Sequence, residues 1–284
     1  MRAKVLAVAL VAVIVMAGAG IGLLYVHGEE ALRERDDIAA RQEMLASLSM
    51  IQSGADEAFQ HAYRELTNAS AALRATGLEG ERARAVLSAL AARVPHAVDA
   101  VTVNTSGIIV TAMPEEYQDA EGVDISDQPQ VRYMLDHKMP VMSDVFIMVE
   151  GFAASDFEVP VFDGEGRFNG SVSVTLDISG MMMELVERHL DLDRFQFTCL
   201  QIDGTESYDT DDSQIGRNLF TDPAYQNHTA VLETMERVVT EGQGYATYRY
   251  YRTLGSEELV DKETYWASTG MFGASWRLMV IRAL

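Results

Sequence analysis

From Glu29 to Thr76 the chain has no Pro and one interior Gly, Gly54, among many good helix formers. Positions 45, 48, 52, 55, 59, 62, 66, 69 and 73 read Leu, Leu, Gln, Ala, Phe, Ala, Leu, Ala, Leu. Spacings that alternate between three and four draw one apolar stripe down a helix. About 45 residues at 1.5 Å each make that helix roughly 65–70 Å long, the scale of two stacked small domains. Its stripe needs a partner, either the chain's own downstream modules or a second copy in a parallel homodimer. Gly77 ends the helix, and a second helix is expected over 79–93, before Pro95.

Upstream, Val5 to Val26 is uncharged and long enough to cross a bilayer of about 30 Å. Arg2 and Lys4 precede it, and the net-acidic HGEEALRERDD follows. The positive-inside rule then puts the N-terminus in the cytoplasm and the bulk of the chain outside, on a single-pass anchor in the cell membrane. Ala17-Gly18-Ala19 offers a signal-peptide cleavage site as the alternative, but the apolar run continues past it through IGLLYV. The net charge of −21 argues against nucleic acid, which needs a basic surface. The single Cys199, in FQFTCLQI, reads as a buried small hydrophobe.

Downstream the pattern is strand and short helix, given twice. Val98–Asn104 and Ile108–Met113 form a hairpin around Ser106-Gly107, and Pro114 opens a short helix. A further helix is expected over 128–138, then strands over 141–150, 152–162 and 171–177. A Met-rich helix, 178–189, leads to strands at 195–202 and 206–209, a helix over 222–241, and strands over 244–252, 259–268 and 275–282. The fold class is α+β: an N-terminal transmembrane helix and long stalk helix, then two antiparallel-sheet modules. The expected organisation is an anchor (1–27), stalk and second helix (28–97), a membrane-distal module (98–190) and a membrane-proximal module (191–284).

Three groups of residues in the first module carry a family resemblance. They are Asp124-Ile125-Ser126-Asp127, Met139-Pro140-Val141-Met142-Ser143-Asp144-Val145-Phe146, and Val159-Pro160-Val161-Phe162-Asp163 with Gly166 and 170–174. In the second module, Gln201-Ile202-Asp203-Gly204-Thr205, Ile215-Gly216-Arg217-Asn218-Leu219-Phe220, Tyr265-Trp266, Gly273 and Trp276 continue it. In this order the chain resembles the double Cache (PAS-like) sensor domains over about residues 31–284. The resemblance implies an extracytoplasmic, chemoreceptor-like ligand-binding module. Such modules are usually coupled through a second membrane helix to a cytoplasmic output; no such helix or output region follows in this sequence, so a separate signalling or transport partner is expected to supply it.

The amino-acid-binding members of that family carry an Arg and two aromatics on the helix after the second strand, with a distant Asp. The matching positions here are Gln128, Gln130 and Val131, so the carboxylate clamp is missing and a free amino acid is not supported. Arg132 lies about one turn on, and either substitutes for the missing cation or faces solvent. Gln128 and Gln130 suit a neutral polar ligand, Asp156 a ligand cation, and Tyr117, Phe146, Met148 and Phe152 an apolar wall. The competing account of these residues is ordinary core packing or solvent exposure.

Six scattered His, no H-E-x-x-H and no Cys/His pairing disfavour a metal site. No G-x-S-x-G elbow or P-loop occurs, and the glycines of GAGIG lie inside the apolar run. Neither enzyme activity nor a cofactor is expected. The expected function is a membrane-anchored extracytoplasmic sensor that binds a small organic molecule, of unknown class, in the distal module. The alternative is a ligand-free structural or interaction module of the cell envelope that dimerises through the stalk.

Overall fold

A computed structural model describes the backbone of residues 2–148 and 151–284, and side chains from residue 30 onward outside 149–150. The chain forms two compact units, Met1–Ala46 and Ser47–Leu284. The first is helical throughout its described length, as part of α1 (Arg2–Thr76). Among the described residues no helix is long and apolar enough to cross a membrane. The expected anchor, 5–26, falls on side chains outside the described set.

In the second unit, α1 ends at Thr76 because Gly77 turns the backbone to φ +82, where its N–H still reaches the Leu73 carbonyl at 2.9 Å. α2 (Gly80–Arg93) follows. The first sheet has order β2-β1-β6-β5-β3, with β4 also pairing β5. Its strands are β1 (Ala97–Asn104), β2 (Ile109–Met113), β3 (Val141–Met142), β4 (Phe146–Ile147), β5 (Ala153–Phe162) and β6 (Phe168–Asp177). Between β2 and β3 lie a 3-10 helix, Glu115–Ala120, and α3 (Pro129–His137). α4 (Ile178–His189) connects to the second sheet, of order β8-β7-β11-β10-β9. Its strands are β7 (Gln196–Gln201), β8 (Glu206–Asp209), β9 (Gln243–Tyr251), β10 (Leu259–Thr269) and β11 (Trp276–Ala283), with α5 (Thr229–Thr240) between β8 and β9. All recorded pairings are antiparallel. The expected α+β architecture of a long helix followed by two antiparallel modules is thus the observed one.

Two expected elements differ. Over 141–148 the expected strand is two short pairings interrupted at 143–145, and its last two residues, 149–150, lie outside the described residues. At the interruption Ser143 Oγ takes the Asp156 N–H at 2.9 Å, and Val145 N–H goes to Gln201 Oε1 in the second module at 2.6 Å. The helix over 222–241 starts only at Thr229. Asp222 instead caps a turn, accepting from Ala224 N at 2.9 Å, and Pro223 and successive turns at Tyr225 and His228 occupy the rest.

The stripe on α1 is used inside the chain. Leu48, Ile51, Ala55, Phe59, Ala62, Leu66, Ala69 and Leu73 are buried, and the polar member, Gln52, donates to the Ser268 carbonyl at 2.8 Å. Phe59 lies against Trp276 of the second sheet, centroids 5.1 Å apart, and Tyr63 stacks on Phe157 of the first at 6.0 Å. From Leu48 to Leu73 the stripe is therefore covered by the chain's own modules, the first of its two expected partners, whereas its first member, Leu45, is 47% exposed. Phe59→Ala should destabilise the fold by about 3–5 kcal/mol, measured by denaturant unfolding; a change below about 1 kcal/mol would contradict this packing.

Candidate ligand-binding site

Alternation gives the first sheet two chemically different faces. Ala100, Val172, Val174, Phe157, Val159 and Val161 are buried on one face, which α1 and α2 cover. Register puts Asp99, Thr175 and Asp156 in one row across the other face, and Val101, Ser173, Glu158 and Val141 in the next. α3 covers this second face, with Val131 joining Val101, Val103, Ile109 and Ala112 in a small core. Proline at N1 starts α3, and Lys138, at φ 56, ends it.

A cavity of about 890 Å³ opens between α3 and the β3–β4 edge. Gln128, Gln130 and Tyr133 line one side, residues 139–146 the other, and Phe272 and Gly273 of the second module close one end. Gln130 Nε2 donates to Gln128 Oε1 at 2.8 Å, and the Gln130 side chain is among the groups that act on the Asp156 carboxyl of β5. The amide pair is thus a polar path from the cavity to the acidic row. Among the described lining residues there is no Lys or Arg.

Behind Gln130 the acids are poorly compensated. Glu158 is 1% exposed; Ser171 Oγ donates to its Oε1, and its Oε2 has no partner among the described residues. Burial raises its carboxyl well above the usual carboxylate range, and the nearby Asp156 raises it further. Burial is also the main cause of the rise at Asp156; Asp99 adds to it, while hydrogen bonds from Ser173 and Gln130 oppose it. Both groups are held toward the neutral form by the lack of a counter-charge.

The expected site residues are placed as follows. Gln128, Gln130 and Phe146 line the cavity, Phe146 remaining 39% exposed, and the half-buried Asp156, on which Gln130 acts, is not among the lining residues. Tyr117 packs on the Val101–Val131 core instead of the cavity wall. Arg132 is exposed, donates to the Asp127 carbonyl at 3.0 Å and is not among the residues that line the cavity. Met148 is half-buried outside the lining, where its N–H closes a turn on Phe152. Sequence reading missed Glu158 and the Ser171-Ser173-Thr175 row. The signal was the alternation SVSVT beside DFEVP, which gives two neighbouring buried strands an all-polar face.

The cavity wall is tied to the second module. Met142 N–H donates to the Phe272 carbonyl at 3.2 Å, and Gln201 bonds both backbone groups of Val145. Phe272, at φ 47, leans on Tyr63 and Phe157 at 4.8 and 5.7 Å.

Residues 57–177 match the family described as HK/GC/Chemotaxis protein-like, sensor domain. No curated protein matches the chain. An extracellular ligand binding receptor from Desulfohalobium retbaense superposes with a TM-score of 0.69 and 32% identity over 83% of this chain, which spans 39% of that structure's length. The periplasmic sensory domain of the Campylobacter jejuni chemoreceptor Tlp1 gives a TM-score of 0.62 at 14% identity, covering 86% of this chain and 96% of that one. The ligand binding domain of the Pseudomonas aeruginosa chemoreceptor PctB, in complex with L-Arg, gives 0.59 at 13%, covering 84% and 92%. The two stacked modules are the double Cache architecture of extracytoplasmic sensor domains, and residues 57–177 are a sensor domain of the HK/GC/chemotaxis type.

Proposed function

We propose that this chain is the extracytoplasmic ligand-reading part of a membrane sensor, held to the membrane by residues 5–26. Its ligand is a small organic cation whose apolar body lies between α3 and the β3–β4 edge. The observation that carries this reading is the about 890 Å³ cavity lined by Gln130, behind which stand the half-buried Asp156 and the buried, under-compensated Glu158. Met139, Met142 and Phe146 supply apolar wall, Gln128 and Gln130 both donate and accept, and Asp156 and Glu158 offer the negative charge. A cation arriving there replaces the missing counter-charge, so the acids ionise as it binds. The likeness to an extracellular ligand binding receptor at 32% identity supports extracytoplasmic ligand reading. We read the module as a binder and not an enzyme, with a separate membrane partner receiving the bound state.

A thermal-shift panel on the purified chain tests the ligand class. Primary amines and quaternary ammonium compounds with an apolar body should raise Tm, whereas carboxylates and sugars should not. Flat curves across the cations, or a response confined to carboxylates, would remove the reading. Glu158→Gln should abolish the response.

The same substitution makes a stability prediction. Carboxyls raised above their unfolded values stabilise the fold while protonated, and that contribution is lost as pH rises from the ordinary carboxylate range through about 8. The ligand-free protein should therefore lose Tm over that interval, and Glu158→Gln should flatten the slope and raise Tm at its alkaline end. Equal slopes in the two proteins would show that Glu158 ionises freely.

Passage of the bound state should run through Gln201. Gln201→Ala is expected to keep ligand affinity but lose ligand-induced hydrogen-exchange protection in residues 196–209. Unchanged protection there would place the coupling elsewhere.

A further inference from the structure

The second module repeats the arrangement of the first. α5 covers one face of its sheet, and between them lies a separate cavity of about 40 Å³. That volume is room for about three waters, or for a molecule of about two to four heavy atoms. Its lining is unlike a plain core, since Glu206, Asp209, Lys262, Tyr225, Tyr248 and Tyr250 all contribute.

Most of these polar groups find partners inside the fold. Thr198 Oγ1 donates to Asp209 Oδ2, and Asp211 N–H to Asp209 Oδ1 at 2.7 Å. Lys262 Nζ donates to Gln196 Oε1 at 2.8 Å and to the Arg252 carbonyl at 3.1 Å. Arg217, the cation that acts on Glu206, is paired with Asp222 at 2.8 Å. Two groups are left over. Glu206 is buried, and among the described residues the side-chain hydrogen bond it accepts is a long one, 3.5 Å from Tyr225 OH. Tyr250 is 5% exposed, lines the cavity, and its hydroxyl has no partner among the described residues. Tyr225 and Tyr250, centroids 6.0 Å apart, present aromatic surface beside these two groups.

We propose that the second module holds its own site for a small protonated amine of about two to four heavy atoms, its ammonium group bound by the Glu206 carboxylate and the Tyr250 hydroxyl. The lining cation Arg252 is paired with Glu258, so against the one buried lysine the cavity sets two buried carboxylates, and an ammonium group matches the second. Its N–H donors satisfy the tyrosine oxygen, and its charge is favourable near the tyrosine rings. The volume excludes the larger cations proposed for the first module, so the two sites read different members of one chemical class.

Isothermal titration calorimetry of the full chain with methylamine hydrochloride tests this, with potassium chloride at equal ionic strength as control. Glu158→Gln serves as the background, so that loss of the first site cannot mimic loss of the second. Saturable binding of methylamine, and none of potassium, is expected in that background. Adding Glu206→Gln should weaken it about tenfold or more, and adding Tyr250→Phe should weaken it by a smaller factor. Tyr250→Phe removes only an unpartnered hydroxyl and should fold normally; should Glu206→Gln fail to melt cooperatively, it decides alone. Absence of saturable heat, equal binding of potassium, or unchanged affinity in Tyr250→Phe would each overturn the site and leave a water-filled polar cavity.

Discussion

Phe59 and Tyr63, about one helical turn apart on α1, hold the two sheets to one support: Phe59 against Trp276 of the second, Tyr63 against Phe157 of the first. Everything else in the second unit depends on this shared face. Each sheet spends one side on the interior of the molecule, and each is left with an opposite side covered by one short helix. α3 and α5 are too short to seal a whole sheet with apolar side chains, and in both modules the uncovered area is polar. The result is two hollows of similar placement and different size, about 890 and about 40 Å³.

Both hollows carry acids that water does not fully reach. A carboxylate without a counter-charge is costly in such a place, and the protein answers by holding Glu158 and Asp156 toward the neutral form. Such an arrangement lowers stability at neutral pH. The segment that forms the outer wall, residues 139–146, is also the one stitched to Gln201 and Phe272. Filling the cavity therefore acts on bonds that join the modules, a local route for a bound state to leave the site.

Much of the fold was legible because its signals are periodic. The three-four stripe from Leu48 to Leu73, the turn glycines and the alternating strands each report local geometry directly. The stripe's partner was not legible, since a helix face looks the same whether it meets its own sheets or a second chain. The strand over 141–150 failed for a related reason: its break is made by Gln201, far along the sequence. The site divided in the same way. Gln128 and Gln130 could be chosen from helix position, but Glu158 required the register that places it beside Asp156 and Ser171. Arg132 illustrates the converse, a residue of the right chemistry whose helix position carries it away to Asp127.

The claim that a cation completes the first module's acidic row has a direct thermodynamic signature. Calorimetry of the cation that gives the largest thermal shift, run near pH 7 in two buffers of different ionisation heat, counts the protons exchanged on binding. Because Asp156 and Glu158 are held partly protonated in the free protein, binding of a cation should release protons to the buffer. Identical heats in the two buffers, or a net uptake, would contradict the account.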